Sequence, residues 1–279
     1  MGMFFGNYNK PGPGVRKDAP QQKAIPRFFS IFQRKFFDLI KLNLLFCIPV
    51  VLVAMLVYLL NFVVPYLILD LLPVILLFPF IGGLTFVTRN YAREEHAFIY
   101  SDFKDAVKNN WKAFLIDGVV VYVVAAVLTV SIPYYLNAAP KNILTAVATG
   151  ICILIGILFL FSQYYAPVLI VTFDLKIGQI LKNSLIFAVV GLWRNLLITL
   201  LLGIMALLLY LSQIMPLTII IAVSWGIFLM FSYSSFLTNF TVYPLIDKMM
   251  IQPYKKQHEN ASGEEQNDSD DNSDFVDRT

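Results

Sequence analysis

Asp70, Asp117 and Asp174 stand in or beside the most apolar stretches of this sequence, where an ionisable side chain is costly and is usually kept for a reason. Asp117 lies just over one turn inside a predicted membrane span, close to Lys112. Too short to reach far toward water, it has two readings: it bonds neighbouring helices, or it carries a proton or holds a solute. Asp174 sits beside Lys176 at a span boundary, where a headgroup-level ion pair is expected; Asp70 is expected at the wet outer surface. Two polar-aromatic runs fall inside other predicted spans: Ser162-Gln163-Tyr164-Tyr165, and Ser232-Tyr233-Ser234-Ser235 followed by Asn239 and Thr241. By default such hydroxyls are helix-packing contacts. The sharper reading is a sugar-sized lining, in which hydroxyls bond a solute and aromatic faces stack on it. Asp117, Gln163, Tyr164, Tyr233 and Asn239 are its candidate residues.

No reaction is legible beside them. The sequence has no Gly-x-x-x-x-Gly-Lys-Ser/Thr phosphate cradle, no His-Glu-x-x-His and no Gly-x-Ser-x-Gly. The prolines of Gly12-Pro13-Gly14 remove backbone donors, and no strand precedes that run. Glu94-Glu95-His96 has metal-ligand types, but adjacent acids on a helix do not face one direction, so a solvated loop is expected. Cys47 and Cys152 lie inside separate apolar blocks and read as small buried side chains. The chain is therefore expected to be non-enzymatic, with no catalytic residue, metal or cofactor and no nucleic-acid partner.

The elements that position these residues follow from composition. Hydrophobic residues make up 58% of 279 positions and charged residues 14%, with a mean hydropathy of +0.70. A soluble domain has about 25% charged residues, and this chain leaves too few polar side chains to cover one. Its apolar blocks reach the ~20 residues of helix that cross a hydrocarbon layer. Six spans are predicted, at 42–64, 67–88, 113–136, 143–171, 195–212 and 216–244. The fold class is thus all-α: a polytopic membrane protein of six transmembrane helices in three hairpins, with amphipathic helices on the cytoplasmic side. Of 21 lysines and arginines, only Lys141 falls in a predicted outer turn. That bias puts both termini in the cytoplasm.

Residues 1–24 read as an irregular cytoplasmic segment, with no cleavable signal expected, and 25–250 as the membrane domain with its interfacial helices. Residues 251–279 read as a disordered tail, since eight acids, one arginine and few apolar side chains between 259 and 279 cannot build a core. Within 25–41, Ile25, Phe28, Phe29, Phe32, Phe36 and Leu39 follow helical spacing opposite Arg27, Ser30, Arg34 and Lys41. This pattern predicts an amphipathic helix lying in the membrane surface. The lead-ins to spans one, three and five share an aromatic and a cation, at Phe37–Lys41, Trp111–Lys112 and Trp193–Arg194, and the even spans carry Pro79, Pro167 and Pro244. A two-helix unit repeated three times gives such spacings. So does the ordinary placing of aromatics and cations at headgroups.

The run Asn9-Lys10-Pro11-Gly12-Pro13-Gly14-Val15, with Lys17-Asp18-Ala19-Pro20, Arg27-Phe28-Phe29, Lys35-Phe36 and Asn43-Leu44-Leu45, resembles the YesL-type integral membrane proteins of Gram-positive bacteria. Gly83-Leu84, Arg89-Asn90-Tyr91-Ala92-Arg93-Glu94, Asp102-Phe103 and Trp111 carry the likeness further. It spans roughly residues 5–250, is sharpest before 115, and leaves the acidic tail aside. The family's function is uncharacterised, and its genes often accompany ABC-type carbohydrate importers and glycan-degrading enzymes. The resemblance implies a multi-pass protein of the bacterial cell membrane and supplies no site residues. The leading expectation is an accessory or assembly factor for an ABC-type sugar importer, whose partners are the lipid bilayer and importer subunits. The alternative is a transporter or channel for a small solute such as a sugar. Nothing in the sequence fixes an oligomeric state.

Overall fold

Long apolar runs give long helices, and two of 40 residues dominate the first half of the chain, each continuous through an internal proline, Pro49 and Pro133. The computed structural model describes residues 23–63, 71–138, 142–212 and 216–254. Asp70, the expected N-terminal segment up to residue 22 and the acidic tail from residue 255 lie outside the described residues. All regular structure among the described residues is helical. Helix α1 runs Ala24–Val63, α2 Leu72–Ala92 and α3 Ile99–Ala138. Helix α4 is Ile143–Ser162, α5 Ala166–Thr172, α6 Ile177–Val190 and α7 Leu192–Leu211. Helix α8, Pro216–Trp225, leads through a π-helical segment, Gly226–Met230, into α9, Phe231–Ile246, and a second π-helical segment, Asp247–Ile251. Six of the resulting rods are long and apolar enough to cross a membrane. The chain is an all-α, multi-pass membrane protein.

Residues 25–41 do not form a separate interfacial helix. They are the first half of the 40-residue α1, a rod about 60 Å long, which is twice the thickness of a hydrocarbon core. Part of the stripe expected to face lipid packs on protein instead, while Ile25 and Phe29 stay exposed: the Phe28 ring meets Tyr233, Phe236 and Phe240 of α9 at centroid distances of 6.2, 5.2 and 5.2 Å. Phe32 meets Tyr233 at 5.5 Å. The sequence pattern revealed an apolar face without revealing its partner, which is α9.

Two apolar clusters hold the bundle. The first joins Ile31, Leu39, Leu42 and Phe46 of α1 to Leu84, Val87 and Tyr91 of α2 and Phe236 of α9. The second joins Phe114 of α3 to Val168 and Leu169 of α5, Phe187 of α6, Ile198 of α7 and Val242 of α9. Helices α2 and α3 run antiparallel in close contact. A Cβ on Gly82 would meet the Phe114 ring at 2.8 Å, and one on Gly118 would meet Phe78 at 2.9 Å, so each glycine receives a phenylalanine from the opposite helix. Outward-facing aliphatic residues such as Leu52 and Leu56 on α1, Leu154 and Ile155 on α4 and Leu200 and Leu208 on α7 remain exposed, as a lipid-facing surface requires.

The predicted fourth span is split. Pro167 has no N–H for the Gln163 carbonyl, so the helix stops at Ser162, turns through 163–165 and restarts as α5 with the proline in its first turn. Pro79 and Pro244 instead remain inside continuous helices. The lead-ins at Trp111–Lys112 and Trp193–Arg194 are likewise continuous with their spans, and the helix before the latter ends at Gly191.

Candidate functional site

A cavity of about 310 Å³ opens where the two apolar clusters meet. The broken fourth span contributes Gln163, Tyr164 and Pro167, α2 contributes Thr85, and α9 contributes Ser234, Ser235, Thr238 and Asn239. On α9 these polar residues repeat at i and i+4, which puts them on one helical face. Phe46 and Phe231 add apolar walls. The volume lies at the small end of ligand pockets and suits one small solute.

The polar walls are partly committed. Thr88 Oγ and Ser235 Oγ share a hydrogen bond of 2.7 Å, and Asn239 Nδ2 donates to Thr88 Oγ at 2.9 Å and to the Ser235 carbonyl at 2.9 Å. The Tyr164 hydroxyl shares a 2.9 Å bond with Thr199 of α7. Asn239 Oδ1 and both polar atoms of Gln163 are buried without a partner. Buried polar atoms are normally satisfied; these three are exceptions, carried by two residues that line the cavity.

Asp117 lies beside this cavity and is 0% exposed. Gln163 is the neighbour close enough to act on its carboxyl, yet no hydrogen bond of sound geometry joins them, and neither Asp117 oxygen has a partner. The expected closeness to Lys112 gives no ion pair, since the Lys112 ammonium lies over the Trp111 ring at 5.7 Å. Gln163, at the break in the fourth span, is thus the neighbour through which Asp117 meets another helix.

Tyr233 does not join the others. It is one residue off the polar face of α9 and packs against Phe28, Phe32 and Trp225. It lines a second, mainly apolar cavity of about 450 Å³ with residues of α7 and α8. Asp174 is exposed between α5 and α6, and the expected ion pair with Lys176 is absent from the salt bridges among the described residues. Thr241 bonds its own helix at the Leu237 carbonyl.

Three polar residues outside the cavity hold its frame. Asn43 of α1, 0% exposed, reaches into the π-helical segment of the sixth span. Its Nδ2 donates to the Gly226 and Ile227 carbonyls at 3.1 and 2.7 Å, and its Oδ1 accepts from the Phe231 and Ser232 amides at 2.8 and 2.9 Å. A wide helical turn misaligns backbone groups, and one amide side chain satisfies four of them. Arg89 closes α5, donating to the Val171 carbonyl at 2.7 Å and Thr172 Oγ at 3.0 Å. Tyr165 donates to Asn195 at 2.8 Å, and its hydroxyl occupies the place where a Cβ on Gly191 would fall. Of these, Asn43 carried a signal in the register of the lead-ins. Asn43, Asp117 and Thr199 each follow the aromatic of their lead-in, Phe37, Trp111 and Trp193, by six positions.

Glu94, between α2 and α3, accepts from Arg27 at 2.8 Å and Arg34 at 2.9 Å. Those two hydrogen bonds, Arg27's first, hold its carboxyl below the ordinary value. Glu95 turns to Arg93 at 2.6 Å, and the His96 ring packs on Phe98. The three neighbouring residues thus have three separate partners, and no group of three metal-ligating side chains occurs among the described residues.

A family described as a protein of unknown function, DUF624, matches residues 39–132. That family includes YesL-like proteins. The match covers most of α1, all of α2 and most of α3, and so includes Asn43, Arg89, Glu94 and Asp117. It stops before Gln163, Tyr164, Tyr233 and Asn239. No curated protein and no solved structure matches the chain.

Proposed function

We propose that the chain is a non-enzymatic membrane transporter-type protein that binds one small, uncharged, hydroxylated solute of sugar size in the cavity between α2, α5 and α9. The supporting observation is the set of unpartnered polar atoms on Gln163, at the break in the fourth span, and on Asn239 of α9, both of which line the cavity. Hydroxyl groups both donate and accept, so a polyol satisfies an amide nitrogen and two amide oxygens together, while the Phe46, Tyr164 and Phe231 rings face its carbon skeleton. No arginine or lysine lines the cavity among the described residues, which argues against a carboxylate or phosphate. Broken helices carry the solute sites of many transporters.

We assign the basic end of the bundle to the cytoplasm on the twenty-to-one distribution of lysines and arginines. We assign the chain to the YesL-type proteins of the Gram-positive cell membrane on its N-terminal motifs. Under that assignment the same cavity also suits an accessory that senses the sugar of an ABC-type importer. The test is sugar binding by the purified protein in nanodiscs, followed by uptake into liposomes. A monosaccharide that binds wild type and binds Asn239→Leu and Gln163→Leu at least tenfold more weakly supports the site. A series of monosaccharides and polyols that leaves the wild type unaffected rejects it. Uptake by the protein alone marks a transporter. Binding without uptake, with importer subunits co-purifying from native membranes, marks the accessory.

A further inference from the structure

A carboxylate without a counter-ion is not a stable occupant of a membrane interior, and no ion pair to Asp117 forms among the described residues. Opposite this stretch of α3, α2 presents Ile75 and Phe78. Helix α5 contains no titratable residue, α4 contains Cys152 alone and α6 Lys182 alone. On α2, Arg89 is engaged at the end of α5 and Tyr91 lies under Lys35. On α1, Arg27 and Arg34 serve Glu94, while Lys35 and Lys41 serve Asp38; Cys47 and Tyr58 are the remaining titratable groups there. On α3 itself, Lys112 lies over Trp111. Of all these groups none acts on the Asp117 carboxyl; Gln163 alone does.

The charge must therefore be neutralised from solution. We propose that Asp117 binds a monovalent cation, a proton or a sodium ion, and that Gln163 links this cation to solute occupancy of the cavity. Beyond the carboxylate, the break in the fourth span offers oxygen: the Gln163 side-chain oxygen is unpartnered, and Pro167 cannot donate to the Gln163 backbone carbonyl. The C-terminus of α4, which ends at Ser162 beside this point, directs the negative pole of its dipole here. Carboxylate, amide oxygen and a freed carbonyl are hard oxygen ligands of the kind that coordinate sodium or receive a proton at discontinuous transporter helices. Gln163 also lines the cavity, so its amide can serve the carboxyl or the solute. That linkage rests on the solute-binding reading above; the cation site itself does not.

Thermal unfolding of wild type and Asp117→Asn in nanodiscs without sugar tests the site, with sodium exchanged for choline at equal ionic strength across a pH series. If the cation is sodium, wild type melts about 2–4 °C higher in sodium than in choline, and Asp117→Asn does not respond. If it is a proton, sodium has no effect. The unfolding equilibrium of wild type then changes by up to about tenfold per pH unit, with stability falling as Asp117 ionises, while Asp117→Asn is flat in that range. Should Asp117→Asn fail to fold, radioactive sodium binding and proton uptake by wild type decide the matter directly. Identical responses of the two proteins, or neither sodium binding nor proton uptake by wild type, overturn the proposal. Sugar affinity measured afterwards in both proteins reads the linkage: it changes with the cation in wild type and not in Asp117→Asn. A cavity that binds no sugar defeats the solute reading and leaves the cation result intact.

Discussion

Asn43 and Asp117 are both fully enclosed polar side chains on long helices, each six residues after the aromatic that leads into its span. Asn43 makes four hydrogen bonds to the backbone of the sixth span. Asp117 makes none. Where water is scarce, a satisfied polar group fixes geometry and an unsatisfied one carries a standing cost. The first therefore holds the architecture together, and the second is the group for which a cation is proposed above. The contrast extends to their neighbours: the polar contacts of Arg89 and Tyr165 close helix ends, whereas Gln163 and Asn239, which line the cavity, hold buried polar atoms without a partner.

The largest effect is expected from Asn43→Leu. It strands two carbonyls and two amides around the π-helical segment, each costing about 1–3 kcal/mol when unsatisfied. Partial relaxation should leave a net loss of about 3–5 kcal/mol, measured by unfolding in detergent. A loss below 1 kcal/mol would break the distinction between the two residues.

Asp117→Leu should do the opposite. With no hydrogen bond to lose, stability should stay within about 1 kcal/mol of wild type, while solute binding loses its dependence on the cation. Destabilisation comparable to that of Asn43→Leu would make Asp117 structural.

Gln163→Leu and Asn239→Leu sharpen the comparison from the cavity side. Each should weaken sugar binding about tenfold, one hydrogen bond's worth. Gln163→Leu should leave the fold intact, because the wild-type amide has no partner to forfeit.

The smallest effect belongs to Glu94→Gln. The pairs with Arg27 and Arg34 are half-exposed, and such pairs contribute at most about 1 kcal/mol. Because the folded carboxyl titrates below its ordinary 4.5, the contribution is present above that value and disappears as pH falls through the lowered one. A melting series toward acid should show wild type converging on Glu94→Gln.

Much of the architecture was legible in the residues. Apolar runs of span length and the scarcity of charge settled the class, because crossing lipid is a local requirement of each segment on its own. The polar-aromatic runs were also visible, and three of the five candidate residues, Gln163, Tyr164 and Asn239, do line one cavity with Asp117 beside them. What remained hidden depended on how helices rotate and cross. Nothing local says that Phe28 and Phe32 meet α9 rather than lipid, since both partners are apolar. Nor does it say that Tyr233 points one residue away from Ser234 and Asn239. Of three similar prolines only Pro167 breaks its helix, and no local pattern distinguishes it from Pro79 and Pro244. The sequence alone determined that polar atoms are carried into the membrane. Which are satisfied there is decided by the tertiary structure, because a hydrogen bond needs its partner within about 3 Å, and residues as far apart as Asn43 and Phe231 reach that distance only once the helices have packed.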